Sequence, residues 1–272
     1  MVIKLGLWSL PPFLAAGIRF FLASMFLSIF AFKHKLQFPR NLKSHFFFFW
    51  FGLVNFTGGY AFVYWGEQYI DSGLASVLFS VMPFYVLILS IWMLPEEMIN
   101  FKKIIGVSIG FIGVITIFWD QINFSEQQPG AIYGMMALLL GPWFASFGTI
   151  TAKKVGKSMH PTVLTTLPMF YAAVSFLLFS FLLEKNARPV FDFNAIFSLI
   201  YLSLVGTSIA FVLYFWMLKH SSAVMMSMIT FITPPMALFW GWLIFDEHIS
   251  ILLLIGMIII LTGIFIVSNK KK

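Results

Sequence analysis

Residues 4–20, KLGLWSLPPFLAAGIRF, and residues 154–170, KVGKSMHPTVLTTLPMF, align at one constant offset. Lys4, Gly6, Pro11 and Phe20 fall on Lys154, Gly156, Pro161 and Phe170. The same offset carries Trp92, Glu97, Gly106 and Gly113 onto Trp242, Glu247, Gly256 and Gly263. A repeat this long divides the chain into two copies of one unit. The first unit is expected over 1–119, a linker over 120–129 and the second unit over 130–269. The second copy carries an apolar stretch, Gly130–Thr151, ahead of Lys154. Its counterpart would lie upstream of Met1, so the first copy reads as lacking its opening helix.

Composition sets the solvent. The 272 residues are 60% hydrophobic and 19% aromatic, with only 10% charged and a mean hydropathy of +0.94. A soluble domain carries roughly 25% charged residues, so most of this surface must face lipid. With no cysteine, disulfides and thiolate metal sites are excluded. The net charge of +7 is dispersed over short loops without an aromatic-laced basic stripe, which argues against nucleic acid as a partner. Lys4 ahead of an apolar run imitates a signal peptide. Arg19 interrupts that run, so the segment reads as a retained helix.

The expected fold class is all-α, a polytopic membrane helix bundle. An apolar segment of about 20 residues spans the hydrocarbon core, and nine such segments can be drawn. They are Pro12–Phe32, Phe46–Gly66, Leu74–Leu94, Ile104–Trp119, Gly130–Ala152, Thr162–Leu183, Ala195–Met217, Ala223–Phe245 and Ser250–Ser268. Pro83 and the pair Pro234–Pro235 kink two of them. Placing Lys270–Lys272 in the cytoplasm puts 13 Lys and Arg residues in inner loops and 3 in outer ones, with Arg19 inside a span. That bias fixes the C-terminus inside a cytoplasmic (inner) cell membrane. Five spans per unit, an odd number, turns the two copies upside down relative to each other, the architecture of alternating-access carriers.

Four stretches carry a resemblance to a known family. They are KLGLWSLPPFLAAGIRFFLA (4–23), YWGEQYIDSGLASVLFSVMPF (64–84), LPEEMINFKKIIGVSIGFIGV (94–114) and SSAVMMSMITFITPPMALFWGWLIFDEHISILLLIGMIIILTGIFIV (221–267). In order and spacing they resemble EamA-type members of the drug/metabolite transporter superfamily. The resemblance implies ten helices in two inverted units of five around a central cavity. It also implies export of small metabolites, amino acids or toxic compounds, and a helix ahead of Ile3 that this sequence does not supply.

Arg19 stands out among candidate functional residues. It lies about 12 Å into its span at 1.5 Å per residue. A charge at such depth costs at least about 2.5–3.5 kcal/mol and should face the bundle interior with a partner. Two readings stay open: a structural ion pair with Glu67, or contact with an anionic substrate group at a gate. Glu67 is the acid nearest a span interior and the group through which proton coupling would run, but an interfacial carboxylate titrates too low to suit that role. Asn55, Thr57, Tyr60 and Tyr64, beside Gly58 and Gly59, are candidate cavity-lining residues. Tyr60 and Tyr64 share a helical face. Thr207, Ser208 and Tyr214 are their counterparts in the second copy. Ser76, Ser80 and Trp143, the last at a break expected around Gly141–Pro142, complete the candidate set. Ordinary helix–helix hydrogen bonding accounts for these polar residues equally well. Gly106, Gly110, Gly113, Gly256 and Gly263 read as close-packing positions. Glu96–Glu97 and Asp246–Glu247 read as favourable charges at the N-terminus of each unit's last helix.

His34, His45, His160, His220 and His248 fall in loops or at span ends, and none pairs at metal-ligand spacing within a helix. No catalytic group, metal or cofactor is therefore expected. The partners are a small-molecule substrate and the lipid bilayer, with pairing to a second copy left open. The rival readings are an intramembrane or lipid-modifying enzyme and a non-functional, N-terminally truncated carrier.

Overall fold

The computed structural model describes residues 2–70, 72–97, 99–119, 130–156, 159–233, 235–236 and 251–268, and within them all regular structure is helical. The expected linker 120–129, the Asp246–Glu247 pair and Lys270–Lys272 lie outside the described residues. A short helix, α1 (Val2–Leu7), turns into α2 (Pro12–Lys33), where Pro12 takes a first-turn position that needs no N–H. The chain continues through α3 (Leu42–Gly66), α4 (Ser72–Phe79), α5 (Met82–Met93) and α6 (Phe101–Phe118). The second half holds α7 (Ala131–Val155), α8 (Pro161–Leu183), α9 (Phe193–His220), α10 (Ala223–Thr233) and α11 (Ile251–Ser268). Side chains of Asn41, Asn100, Asp192 and Ser222 accept the first free N–H groups of α3, α6, α9 and α10.

Among the described residues, six helical stretches are long and apolar enough to cross a membrane: α2, α3, Leu74–Met93 across α4 and α5, α7, α8 and α9. Each overlaps a segment expected from the sequence. Two details differ. First, α7 runs unbroken through Pro142. Gly141 lets α3 close on it there, since a Cβ would meet the Gly59 carbonyl at 2.9 Å, and neighbouring helices can hold a proline-bearing turn in helical form. Second, the irregular turns fall elsewhere. A π-helical turn occupies Gly52–Gly58 in α3, and another occupies Leu204–Ile209 in α9. These are corresponding positions of the two copies, since Thr57 matches Thr207. A π turn inserts a residue and swings the following side chains around the axis, a device common at functional sites.

The packing obeys a two-fold relation between the copies. In α6 and α11, Gly106 abuts Gly263 and Gly113 abuts Gly256: a Cβ on Gly106 would stand 2.7 Å from the Gly263 carbonyl, and one on Gly113 would stand 2.8 Å from that of Gly256. Gly106 and Gly113 are the repeat partners of Gly256 and Gly263, so the two contacts are one contact seen twice. Ser80 Oγ likewise donates to the Thr230 carbonyl at 3.3 Å, a residue touching its own repeat partner. Small residues that let backbones meet replace the hydrophobic driving force that lipid removes.

The copies differ where α7 packs on α3. Asn55 and Val63 are buried there, whereas their counterparts on α9, Val205 and Leu213, are 41% and 54% exposed. That face of α9 lies open.

Gly263→Ala is expected to destabilise the fold by about 1–3 kcal/mol through overpacking, because its Cβ would meet the Gly106 carbonyl at 2.5 Å and the Gly110 amide at 2.7 Å. Gly59→Ala, whose Cβ finds its nearest neighbour at an ordinary 3.6 Å, should be nearly neutral. Thermal melting of the two variants in detergent checks the contrast.

Candidate functional site

The site begins with a charge that the bundle has to accommodate. Arg19 on α2 is 2% exposed. Its Nε donates to Thr207 Oγ1 at 2.7 Å, Nη1 to the Tyr64 hydroxyl at 3.2 Å and Nη2 to the Gly206 carbonyl at 3.3 Å. The guanidinium lies 4.9 Å from the centre of the Tyr60 ring and 5.6 Å from that of Phe20. Glu67, at the end of α3, is not among its hydrogen-bond partners. Hydrogen bonds to a charged group contribute about 1.5–3 kcal/mol each and a desolvated cation–π contact about 2. Together they offset the insertion cost. The α9 π turn supplies two of the partners, Gly206 and Thr207. Tyr60 and Tyr64 come from one face of α3, as their spacing of four requires.

Beside this cluster lies a central cavity of about 410 Å³ between the two copies. Asn55 and Tyr60 of α3, Phe79 of α4, Met82 of α5, Ala145 and Thr149 of α7, Gly206, Ala210, Phe211, Tyr214 and Phe215 of α9, and Ile229, Thr230 and Thr233 of α10 line it. Thr149 and Tyr214 bond to each other across it at 3.0 Å. Asn55, Tyr60 and Tyr214 of the sequence candidates therefore line the cavity, while Arg19, Tyr64 and Thr207 form the layer behind it. Ser80 is buried and donates to the Ser76 and Thr230 carbonyls; neither it nor Ser76 lines the cavity. Trp143 does not line it either. It is 38% exposed and meets Tyr85 edge-on at 5.3 Å. At 100° per residue Trp143 stands some 200° from Ala145, which does face inward. Thr149, Phe211, Thr230 and Thr233 were not singled out from the sequence. Thr149 lies four residues after Ala145, on the same cavity-facing side of α7.

The two ends of the bundle differ. At the end where α2 begins, an open vestibule of about 880 Å³ is lined by Trp8–Phe13, Trp65, Gln68, Tyr69 and Leu182–Arg188. The Glu184 carboxylate there accepts the Phe13 and Leu14 N–H groups at 2.8 and 3.0 Å, a charge seated on the N-terminus of α2. Ser9 donates to Asp192 at 2.6 Å; this bond, followed by the Ala195 N–H, holds the Asp192 carboxyl below its usual range. On α3, Trp65 borders the vestibule and Tyr60 the cavity. The Arg19–Tyr64 layer thus separates the two spaces.

The opposite end is tied shut. Lys153 Nζ donates to the Leu218 and Ser221 carbonyls at 2.7 and 2.6 Å, at the exposed C-terminal end of α9. It also lies 3.8 Å from Glu97, whose two carboxylate oxygens accept the Ala223 N–H at 3.0 Å each. The expectation that Glu97 serves the N-terminus of its own unit's last helix is corrected here. Asn100 caps α6, and Glu97 reaches across to cap α10. One lysine and one glutamate thereby join the α5–α6 turn, α7, α9 and α10.

Comparison with known proteins bears on the family and the fold. The model of the EamA-like transporter family matches residues 1–119 and 132–269. The chain belongs to the EamA-like transporter family. An uncharacterized transporter, YoaV, of Bacillus subtilis (strain 168) is 30% identical over 268 residues, covering 97% of this chain and 90% of that one. A probable amino-acid metabolite efflux pump of Escherichia coli (strain K12) is 26% identical over 275 residues, covering 98% and 88%. A solved structure titled only as the crystal structure of a protein superposes with a TM-score of 0.80 at 16% identity, covering 94% of this chain and 88% of that one; at that identity the likeness speaks for the fold alone. The EamA-like chain is thus a multi-pass membrane transporter.

Tyr64→Phe removes the acceptor for Arg19 Nη1 and leaves a buried charged donor unpaired. The expected loss is about 1–3 kcal/mol, a fall of roughly 2–10 °C in melting temperature for a chain of this size, measured on purified protein in detergent.

Proposed function

We propose that this EamA-like protein exports small organic metabolites across the cytoplasmic membrane by alternating access. The observation that carries the reading is the central cavity, held between two inverted copies, screened from one end by the Arg19–Tyr64 layer and from the other by the Lys153–Glu97 tie. By the Lys and Arg bias the vestibule end faces outward and the tied end faces the cytoplasm. Loading from the cytoplasm requires Lys153 to release the α9 carbonyls and Glu97 to release α10. The mobile elements then rock about the α6–α11 glycine seam and the two π turns, which absorb backbone changes at mid-depth. The probable amino-acid metabolite efflux pump among the relatives supports outward transport of metabolites. The cavity lining favours apolar bodies, since Phe79, Met82, Phe211 and Phe215 surround a few polar groups. Among the described residues the lining holds no carboxylate, histidine or lysine.

Ala145→Trp, which fills the cavity from α7, is expected to abolish export while the protein remains in the membrane, whereas Ala145→Ser should retain it. A panel of amino acids and drugs tested for efflux from cells expressing each form decides the matter. Failure of the unmodified chain to move any compound, or unchanged efflux in Ala145→Trp, would contradict the reading.

A further inference from the structure

Of the two π turns, the one in α9 is fastened and the one in α3 is not. On α9, Arg19 donates to Thr207 Oγ1 and to the Gly206 carbonyl. Ser208 Oγ donates to the Ser203 carbonyl, five residues back as a π turn requires, at 2.7 Å and reaches the Ala23 carbonyl of α2 at 3.2 Å. On α3 the repeat partner of Thr207 is Thr57, which is 2% exposed and whose Oγ1 has no hydrogen-bond partner. Asn55 Nδ2, buried in the same turn, has none either. The repeat position of Arg19 is Met169, which has no donor to offer. The ends of the turns differ as well. Gly52, Gly58 and Gly59 stand where α9 has Leu202, Ser208 and Ile209, which frees the α3 backbone to change conformation. A buried hydroxyl with nothing to bond is costly in a bundle surrounded by lipid. Elsewhere in the bundle threonine meets that demand within its own helix. Thr116, Thr165, Thr166 and Thr262 each donate to the carbonyl four residues back, at 2.9, 2.7, 2.7 and 2.8 Å. That bond belongs to α-helical geometry. If residues 52–58 pass from π to α-helical pairing, the Leu53 carbonyl takes the same place relative to Thr57.

We infer that the α3 turn is the hinge at the outer end of the carrier and that Thr57 is a positioning residue for its movement. The turn is π-helical in the state seen here and α-helical in the other, where Thr57 Oγ1 donates to the Leu53 carbonyl. A π turn holds one residue more than the α-helical turn it replaces. Its loss therefore turns the outer part of α3, Gly59–Gly66, about the axis and carries Tyr60 and Tyr64 away from Arg19. The layer between vestibule and cavity then parts, while Arg19 stays on the fastened α9 turn. The inference rests on the alternating-access reading and deepens it by naming the element that moves.

The test reads outer access to the cavity. The chain has no cysteine, so Ala145→Cys places a single thiol in the cavity wall. Its rate of reaction with a membrane-impermeant maleimide, applied to the outer face of sealed vesicles holding the full chain, is measured alongside the melting temperature in detergent. In that background Thr57→Val is expected to slow labelling at least threefold without lowering the melting temperature, because the hydroxyl it removes has no partner in this state. Thr57→Ser keeps the hydroxyl and should restore the rate. Thr207→Val, which deprives Arg19 of an acceptor, should lower the melting temperature by about 2–10 °C. An unchanged rate in Thr57→Val, no rescue by Thr57→Ser, a melting-temperature loss in Thr57→Val matching that of Thr207→Val, or no outer labelling of Ala145→Cys overturns the inference. If the rate is unchanged yet cells expressing the chain still export a compound, the hinge falls and the exporter reading stands. If labelling slows as expected but no compound of the efflux panel leaves the cells, the hinge stands and the exporter reading fails.

Discussion

A guanidinium buried in a lipid-facing bundle has to be satisfied by the protein itself, and much of this structure is arranged around that requirement. Arg19 sits on the first copy, yet Thr207 and Gly206 of the second copy take two of its hydrogen bonds. The charge therefore works as a joint between the halves. The joint is possible because α9 opens a π turn at that height and brings a hydroxyl and a carbonyl to the same side. Tyr60 and Tyr64 complete the shell from α3, one as a ring beneath the cation and one as an acceptor. Removing the arginine would cost the bundle more than a side chain, since the layer between vestibule and cavity is built on it.

The second organising feature is the two-fold relation. Glycines at repeat positions meet crosswise in α6 and α11, and Ser80 bonds to its own partner Thr230. An inverted repeat can in principle exchange the roles of its two ends, because what closes one end has an equivalent in the other copy. Here one end is tied by Lys153 and Glu97 and the other opens on a vestibule. The two ends are therefore unequal within a symmetric frame.

The sequence made the coarse architecture legible for a simple reason. Lipid forces long apolar segments, and a constant repeat offset with an odd span count forces inversion. The EamA resemblance pointed the same way and agrees with the family match. Site details were less legible because they depend on helix rotation. Trp143 and Ala145 are two residues apart and face opposite ways, which composition does not reveal. The π turns left no residue signature beyond glycine at Gly52, Gly58 and Gly206, so the broken point was expected at Pro142, where packing against α3 keeps the helix whole. Glu97 was read through its nearest helix in sequence, while its partner is 126 positions away at Ala223. Local charge rules cannot see such a contact. Asn55 and Tyr60 were visible because polar side chains beside paired glycines are unusual at mid-span.

Alternating access requires that one cavity be reached in turn from the two sides. The chain lacks cysteine, so a single Thr149→Cys in the cavity wall is a clean reporter. A membrane-impermeant thiol reagent applied separately to each face of sealed vesicles measures access directly. Labelling from both faces, with cytoplasmic access rising when Lys153→Met releases the tie and outer access falling in step, is the predicted result. Labelling from one face only, unmoved by Lys153→Met, would contradict it.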